Sequence, residues 1–562
     1  MANEVLFQAV GVILAIILYH RYSRTRPAGK LPPGPKPLPL LGNINDLPPK
    51  GIPEYQHWLK HMRQYGPLSS VTVLGQTTVI FHDRQAAYEL LERTAKKTSG
   101  RPWLVFGPKL CGFDRVMINK QPDEEAFRCH RRLMHTQFGS NNAVASYHDV
   151  LKAEVKVLLL RIWRQPERTL ELLKTATGSI ILKVTYGYAI DQENKDPLLD
   201  IVGRMMDDLS MAFAALTWLV DLIPALQYLP SFLPGMGFKK TAEECKKTSL
   251  AVEDIPYAFT RRQMESSNPR PSYVSRLLQD SSRDSLGPEE KTANESDIKT
   301  TACTIFGGGA DTTSASLTAF VLAMTLNPEV QKKAQQEIDS LTGSTRLPSF
   351  EDRPQLPYTD AIVTETLRWL PVAPMGTAHR ATEDTFYNGY LIPKGAQLVP
   401  SIWWFTHDPD VYRDPDSFDP DRYAARNEPD PKAAVFGFGR RRCPGMYFAD
   451  ANLFLIAAQM LAVFTIGKAV GEDGKEVVPE IRTTPGLISN SPPESRRPAL
   501  VGCGVVGAVV GPVRVTGSGP EWGRMNPVRG RLADREARNP ENRLQERHHY
   551  IKYGDVFSLF GL

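Results

Sequence analysis

A single cysteine stands where a glycine-rich basic loop runs into a long apolar segment: residues 436–445 read FGFGRRRCPG and are followed directly by MYFADANLFLIAAQML. Gly437 and Gly439 allow tight backbone turns, and Pro444 is pre-set for the first turn of the helix that the apolar run predicts. Cys443 therefore sits at a helix entrance, between backbone amides and the side chains of Arg440, Arg441 and Arg442. Surroundings of that kind lower a thiol pKa, and the thiolate is the form that binds a soft metal. A buried structural cysteine in a basic loop is the better reading of an isolated cysteine, and the spacing of the residues around this one decides between the two.

The 562 residues are 42% hydrophobic, 23% charged and 9% aromatic, enough to bury a sizeable core in an ordinary globular protein. A net charge of +5 and a pI near 8.7 fall well short of a dedicated nucleic-acid binder, and no nucleic acid is expected as a partner. They suit a docking face for an acidic protein or an anionic membrane. The six cysteines, Cys111, Cys129, Cys245, Cys303, Cys443 and Cys503, show no paired spacing, which fits reduced thiols in a cytosolic setting. Helical periodicity over 144–164, 245–264, 298–326 and 328–342 outweighs strand-like pieces such as SSVTVLGQTTVIFH near residue 75. The chain reads as mainly α with a small β portion, and the absence of a repeat or second linker predicts one catalytic domain over 44–488.

Residues 5–19, VLFQAVGVILAIILY, are almost wholly apolar and as a helix would rise roughly 22 Å at about 1.5 Å per residue. With flanking residues, tilt and a thin endoplasmic-reticulum bilayer, that length predicts a single transmembrane helix as an anchor over 1–22. His20, Arg21, Arg24, Arg26 and Lys30 follow the run while Glu4 precedes it. That order is the reverse of a cleaved signal peptide and leaves the rest of the chain facing the cytosol. Residues 31–43, LPPGPKPLPLLGN, resist helix and central strand alike, so 23–43 reads as a basic, proline-rich hinge.

Phe436, Gly439, Arg441, Cys443 and Gly445 fall on the pattern F-x-x-G-x-R-x-C-x-G, and here the chain resembles the cytochrome P-450 superfamily. The resemblance implies that family's fold and a haem b (iron protoporphyrin IX) cofactor. Cys443 would be the axial ligand to the iron, pushing electron density onto it. Arg441 would pair with a haem propionate, and Phe436 would lie on the sulfur side of the ring and tune its surroundings.

Further segments keep the family's order. Residues 361–370, AIVTETLRWL, place Glu365 and Arg368 three apart on one helix face, by itself an ordinary solvated pair. Upstream of FDPDRY at 418–423, they are similar to a buried family network in which Glu365, Arg368 and Arg422 brace the cysteine loop. In residues 300–326, TTACTIFGGGADTTSASLTAFVLAMTL, the glycines Gly307, Gly308 and Gly309 are expected to interrupt a buried helix, each costing about 1 kcal/mol against alanine. Close helix packing would account for them as well. Asp311, Thr312 and Thr313 need hydrogen bonds there, for which a local kink with ordered water is expected. The resemblance implies oxygen activation at this place, with Asp311 and Thr312 relaying protons toward dioxygen.

In EAFRCHRRLMH, by default a solvated basic face, Arg131 matches the family's propionate-binding arginine, whereas Phe127 replaces its tryptophan and has no donor. PMGTAHR, residues 374–380, ends in His379 and Arg380, which the family pattern sets near a propionate; His379 as an iron ligand fits less well. The resemblance runs over about 30–488, including a TTPGLIS hairpin near residue 486. Residues 489–562, rich in Gly, Pro, Arg and Asn, read as an atypical, disordered tail or the product of a gene-model error.

What the family implies is a monooxygenase inserting one atom of dioxygen into an apolar small molecule, in the manner of fungal secondary-metabolism members. Electrons are expected from NADPH through a separate NADPH-cytochrome P-450 reductase, with cytochrome b5 as an optional second donor, docking near Arg440 and Arg442. Substrate contacts are expected from 101–117, 205–235, 305–313 and 372–377. The implied location is the endoplasmic reticulum membrane, single-pass. Two rival readings are a haem-thiolate isomerase or dehydratase, whose kind tends to lose the acid–threonine pair kept here, and a catalytically silent haem-binding membrane protein.

Overall fold

The computed structural model describes residues 29–489 apart from 50, 192–194, 215–216, 284–286, 344, 470–474 and 482. The expected anchor over 1–22 and the tail beyond 489 lie outside the described residues. Among those described, the longer helices are α1 Glu54–Tyr65, α2 Glu125–Phe138, α3 His148–Arg164, α4 Thr169–Tyr186, α5 Pro197–Ala212, α6 Phe238–Met264 and α7 Tyr273–Arg283. They continue with α8 Pro288–Leu326, α9 Pro328–Thr342, α10 Pro357–Trp369 and α11 Met446–Val463. The strands β1 Leu68–Val73, β2 Gln76–Phe81, β3 His379–Arg380, β4 Thr385–Tyr387, β5 Tyr390–Ile392 and β6 Gln397–Pro400 are short, and the mainly α architecture with a small β portion is as read from the sequence.

β1 and β2 form a hairpin in register Val73↔Gln76 because Leu74 and Gly75 both take positive φ, 46° and 81°. That backbone twist matches the twist of paired strands. β6 adds to β2 in parallel and β3 to β6 antiparallel, giving the order β1-β2-β6-β3. The outer edge of β1 would leave its polar backbone unpaired, and the proline-rich segment covers it. Ser70 donates from its amide to Pro33 O at 2.8 Å and from its hydroxyl to Pro32 O at 2.6 Å, while the amides of Asn43 and Thr72 bond across between the two segments. Over its described part the expected hinge is thus fixed to the domain: prolines cannot donate, but their carbonyls accept.

α8 runs unbroken for 39 residues, so the expected interruption at Gly307–Gly309 is absent. Packing explains why. A Cβ on Gly307 would come within 2.7 Å of Met205 Cε on α5, and one on Gly309 within 2.7 Å of Ile181 Cδ1 on α4. Thr177 on α4 also donates to Ala310 O at 3.1 Å. Tertiary contact therefore overrides the weak intrinsic preference of glycine against helix. α11 is the one helix among the described residues long and apolar enough to cross a membrane, and it lies mostly buried as a core helix. Among the described residues no strand is seen at the expected hairpin near residue 486: residues 485–488 make bends, and the Ser489 amide donates to Val372 O at 2.7 Å.

A buried ionic network joins α10 to the segment that leads into the cysteine loop. Glu365, Arg368 and Arg422 are each 0% exposed. Glu365 accepts five hydrogen bonds, from Arg368 Nε and Nη2, Arg422 Nε, Tyr423 OH and the Asp419 amide, at 2.8–2.9 Å. Arg368 Nη1 reaches Thr406 O and Pro415 O, both at 2.8 Å, and Arg422 Nη1 reaches Glu428 at 2.6 Å. Glu428 is shared with Arg426 at 2.7 Å, so the two carboxylates serve three guanidiniums. Burial works against the charge on Arg422, but Glu365 and Glu428 more than offset it and raise its pKa.

Arg422→Ala leaves both carboxylates short of a cation, a loss of the kind that costs about 3–5 kcal/mol when one partner of a buried pair is removed. Urea unfolding is expected to show it, whereas Lys247→Ala, which breaks the exposed pair with Glu243, should move the midpoint by no more than about 0.5 kcal/mol.

Candidate active site

The cysteine loop is held from two sides. Gly437 and Gly439 take φ of 78° and 53°, and a Cβ on Gly439 would meet Leu91 O at 2.5 Å, so the turn presses on the 88–98 segment. Glu92 accepts there from the Gly439 amide at 2.6 Å and from Arg442 Nη2 at 3.2 Å, while the Cys443 amide closes the turn on Phe436 O at 2.8 Å. Cys443 is thereby set just before α11, with its exposed surface turned inward onto a cavity of about 380 Å³.

The expected lowering of its thiol pKa is not what the surroundings produce. Burial pushes it up, against the Gly445 amide and the charge of Arg131. The loop amides and arginines are too few, or too engaged, to offset removal from bulk water; Arg442, for one, is paired with Glu92. A cation bonded to the sulfur would supply what is missing, since a metal holds a ligating thiol deprotonated.

The facing wall is α8. Gly307, Gly308, Gly309, Thr312, Thr313 and Ser316 line the cavity. Gly307 and Gly309 are packed by Met205 and Ile181, but a Cβ on Gly308 would meet nothing within 4 Å, so this glycine opens onto the cavity. Thr312 donates back to Gly308 O at 2.6 Å, a bond that needs no kink. Asp311, half-buried, is not among the lining residues, standing one helical step round from Thr312.

One side of the cavity gathers cations whose partners are carbonyls. Arg441 donates to Ser99 O at 2.8 Å and Lys120 O at 2.5 Å, Arg131 to Arg442 O at 2.6 Å, and Arg101 to Ile118, Thr377 and Ala378 oxygens at 2.7–3.0 Å. The His379 Nδ1–H donates to Thr98 O at 3.0 Å. Burial, with Arg131 and Arg440 adding to it, holds the Arg441 pKa down to about 10. Burial and then the Arg441 charge lower Arg101 well below its usual range, and burial and then Arg101 do the same to His379. Such a cluster lacks negative charge, which an anionic ligand would bring. Phe127, in place of tryptophan, stacks beneath Arg441 at 4.3 Å and so supports the guanidinium without donating to anything.

Of the residues singled out from the sequence, Cys443, Phe436, Arg131, Arg441, His379 and Thr312 come together on this cavity. Arg380 does not. It follows His379 on β3, where successive side chains take opposite faces, and its guanidinium bonds Arg101 O at 2.8 Å and lies over the exposed Trp103 ring at 4.8 Å. Glu365, Arg368 and Arg422 stand apart as the brace. Arg101 was not singled out as a cation of the site; its only sequence signal is a basic residue inside the expected substrate-contact range. Of the expected range 205–235, residues 205, 206 and 209 line the cavity, and Leu487 and Ile488 line it as well.

A sulfur on one wall, an open glycine face on another and a patch of uncompensated cations fit a flat, dianionic, iron-bearing macrocycle, the haem-thiolate class. A family model described as Cytochrome P-450 matches residues 32–493, and the chain belongs to that family and is a monooxygenase. It is 43% identical over 482 residues to Cytochrome P-450 monooxygenase CLM2 of Gibberella zeae, covering 85% of this chain and 90% of that protein. It is 42% identical over 486 residues to Multifunctional cytochrome P-450 monooxygenase af510 of Aspergillus fumigatus, with 85% and 90% covered. It is 37% identical to O-methylsterigmatocystin oxidoreductase of Aspergillus flavus over 467 residues, with 82% and 87% covered.

The glycines of α8 separate by substitution. Gly309→Ala drives a methyl into Ile181 and is expected to destabilise by about 1–3 kcal/mol, the usual cost of overpacking. Gly308→Ala meets open space and should leave thermal unfolding no worse than the parent's, which a pair of melting curves will check.

Proposed function

We propose that Cys443 ligates the haem iron and that Arg131, Arg441 and Arg101, with His379, hold the propionates. The observation that carries this reading is that the Cys443 sulfur opens onto the same cavity as Gly308 and Thr312. When bound, the haem supplies activation of dioxygen, one atom going into a C–H or C=C bond of an apolar small molecule and the other leaving as water.

The chain's own residues account for the remaining tasks. Phe436 lies at the loop's start, its carbonyl bonded to the Cys443 amide, and shields the sulfur side from water. Thr312 offers a hydroxyl on the α8 wall and, with Asp311 one position back, would relay protons toward dioxygen. The guanidiniums gain a counter-charge from the propionates and orient the ring. Apolar walls from Phe113, Val116, Met117, Ile118, α5 and Leu487–Ile488 admit carbon and exclude water.

Electrons come from NADPH through a separate reductase, docked on the sulfur side where Arg440 is exposed; cytochrome b5 is an optional second donor. The residues 1–22 anchor the protein in the endoplasmic reticulum membrane as a single span, with 44–488 on the cytosolic side and 489–562 a tail. The fungal relatives support a role in secondary metabolism, among enzymes such as the oxidoreductase acting on O-methylsterigmatocystin.

Two measurements test the reading. Cys443→Ala is expected to abolish the red-shifted band of the reduced carbon-monoxide difference spectrum and all oxidation with NADPH and reductase; oxidation at the parental rate would overturn it. Arg441→Ala removes one charge-assisted bond, worth about 1.5–3 kcal/mol, and is expected to weaken haem retention by roughly tenfold or more. The ratio of haem to protein absorbance after gel filtration reads this directly.

A further inference from the structure

Thr304, Gly308 and Thr312 line the cavity at four-residue spacing along α8. Residues so spaced share a helix face, and at about 1.5 Å per residue the two hydroxyls stand roughly 12 Å apart along the axis. Gly308 leaves the stretch between them open. Both hydroxyls donate back into their own helix, Thr304 to Thr300 O at 3.0 Å and Thr312 to Gly308 O at 2.6 Å. A threonine hydroxyl has one hydrogen and two lone pairs. With the hydrogen committed, what each turns to the cavity is an acceptor.

Much of the cavity wall is apolar. Phe113, Met117, Met205, Met206 and Leu209 line the same cavity, and Met205 and Met206 come up against Gly307, one turn from Thr304. The preceding hydroxyls of α8 are engaged away from it, Thr300 with Glu253 at 3.0 Å and Thr301 with Tyr273 at 2.8 Å. A ligand filling this region gains from burying carbon, and orientation then falls to the few polar groups available.

Resting on the function proposed above, we propose that Thr304 selects an apolar substrate that carries a hydroxyl. That hydroxyl donates to Thr304 Oγ1 and is left unchanged, while the far end of the molecule is directed to the Thr312 end of the column and oxidised there. A carbonyl in the same place would set acceptor against acceptor and is discriminated against.

The test uses the haem-loaded full chain with 4-cyclohexylcyclohexanol and bicyclohexyl, a rigid pair differing by one hydroxyl. By titration calorimetry, Thr304→Val is expected to bind the alcohol about threefold to tenfold more weakly, the loss of one hydrogen bond. Bicyclohexyl affinity should not change, and Thr304→Ser should behave as the parent. Products from the parent should carry the new oxygen on the ring remote from the hydroxyl, and the valine variant should lose that preference. Unchanged alcohol affinity in the variant, or an equal loss for both probes, overturns the proposal. Thr304→Ala, read in the same way, decides the matter where valine crowds the fold. Carbon-monoxide spectra of the same samples keep the two readings apart: a parent without the thiolate band counts against the haem-thiolate reading, whereas a normal band with unchanged alcohol affinity counts against Thr304 alone.

Discussion

Glu365 is the point on which the catalytic half of the structure turns. A carboxylate with no solvent exposure is costly unless its lone pairs are filled, and here five donors fill them, brought by α10 itself and by the 417–423 segment. The donors come from parts of the chain more than fifty positions apart, so the network forms only when the fold is complete. What it fixes is the path of the backbone after α10: Thr406, near the end of a short helix, and Pro415 and Ser417 present carbonyls to Arg368, and the chain then passes through two short helices, Asp421–Arg426 and Lys432–Val435, into the cysteine loop.

The cavity inverts this arrangement. In the brace every guanidinium has a carboxylate, whereas Arg101, Arg131 and Arg441 face the cavity with backbone oxygens as partners; burial lowers the proton affinity of all three, and the Arg441 charge adds to this at Arg101 and the Arg131 charge at Arg441. A protein interior tolerates such crowding only where something else is to complete it. The same holds for the Cys443 thiol, which burial disfavours as an anion. Both imbalances have the same sign of remedy: a ligand bearing a metal cation for the sulfur and two carboxylates for the guanidiniums corrects them together. Satisfied brace and unsatisfied site lie on either side of one loop.

The cysteine loop, the E-x-x-R helix and the glycine helix were legible because each is a short run whose residue types are set by local chemistry. What escaped reading depends on neighbours remote in sequence. Tyr423 adjoins Arg422, yet its bond to Glu365 exists only because the 421–426 turn faces both toward α10. Arg380 stood beside His379 as an equal, but a two-residue strand is too short for its alternation to be seen in sequence, and the pleat sends the two side chains apart. Arg101 lies in irregular chain, its direction set by carbonyls at 118, 377 and 378. The continuity of α8 was hidden for the opposite reason: the glycines carry a real local penalty, and α4 and α5 override it.

That continuity has a consequence for chemistry. An unbroken run of helical turns spaces Thr304 and Thr312 two turns and a little more apart on one face, and their back-bonded hydroxyls satisfy their own helix. Gly307 and Gly309 let α4 and α5 clamp the helix from two directions while Gly308 keeps the face between the two threonines clear. The three adjacent glycines thus do unlike work because successive residues on a helix point about 100° apart, two admitting protein and one admitting ligand. Substitution at Gly307 or Gly309 strains packing while substitution at Gly308 alters the cavity wall, which is why a single explanation such as flexibility cannot serve for the triplet.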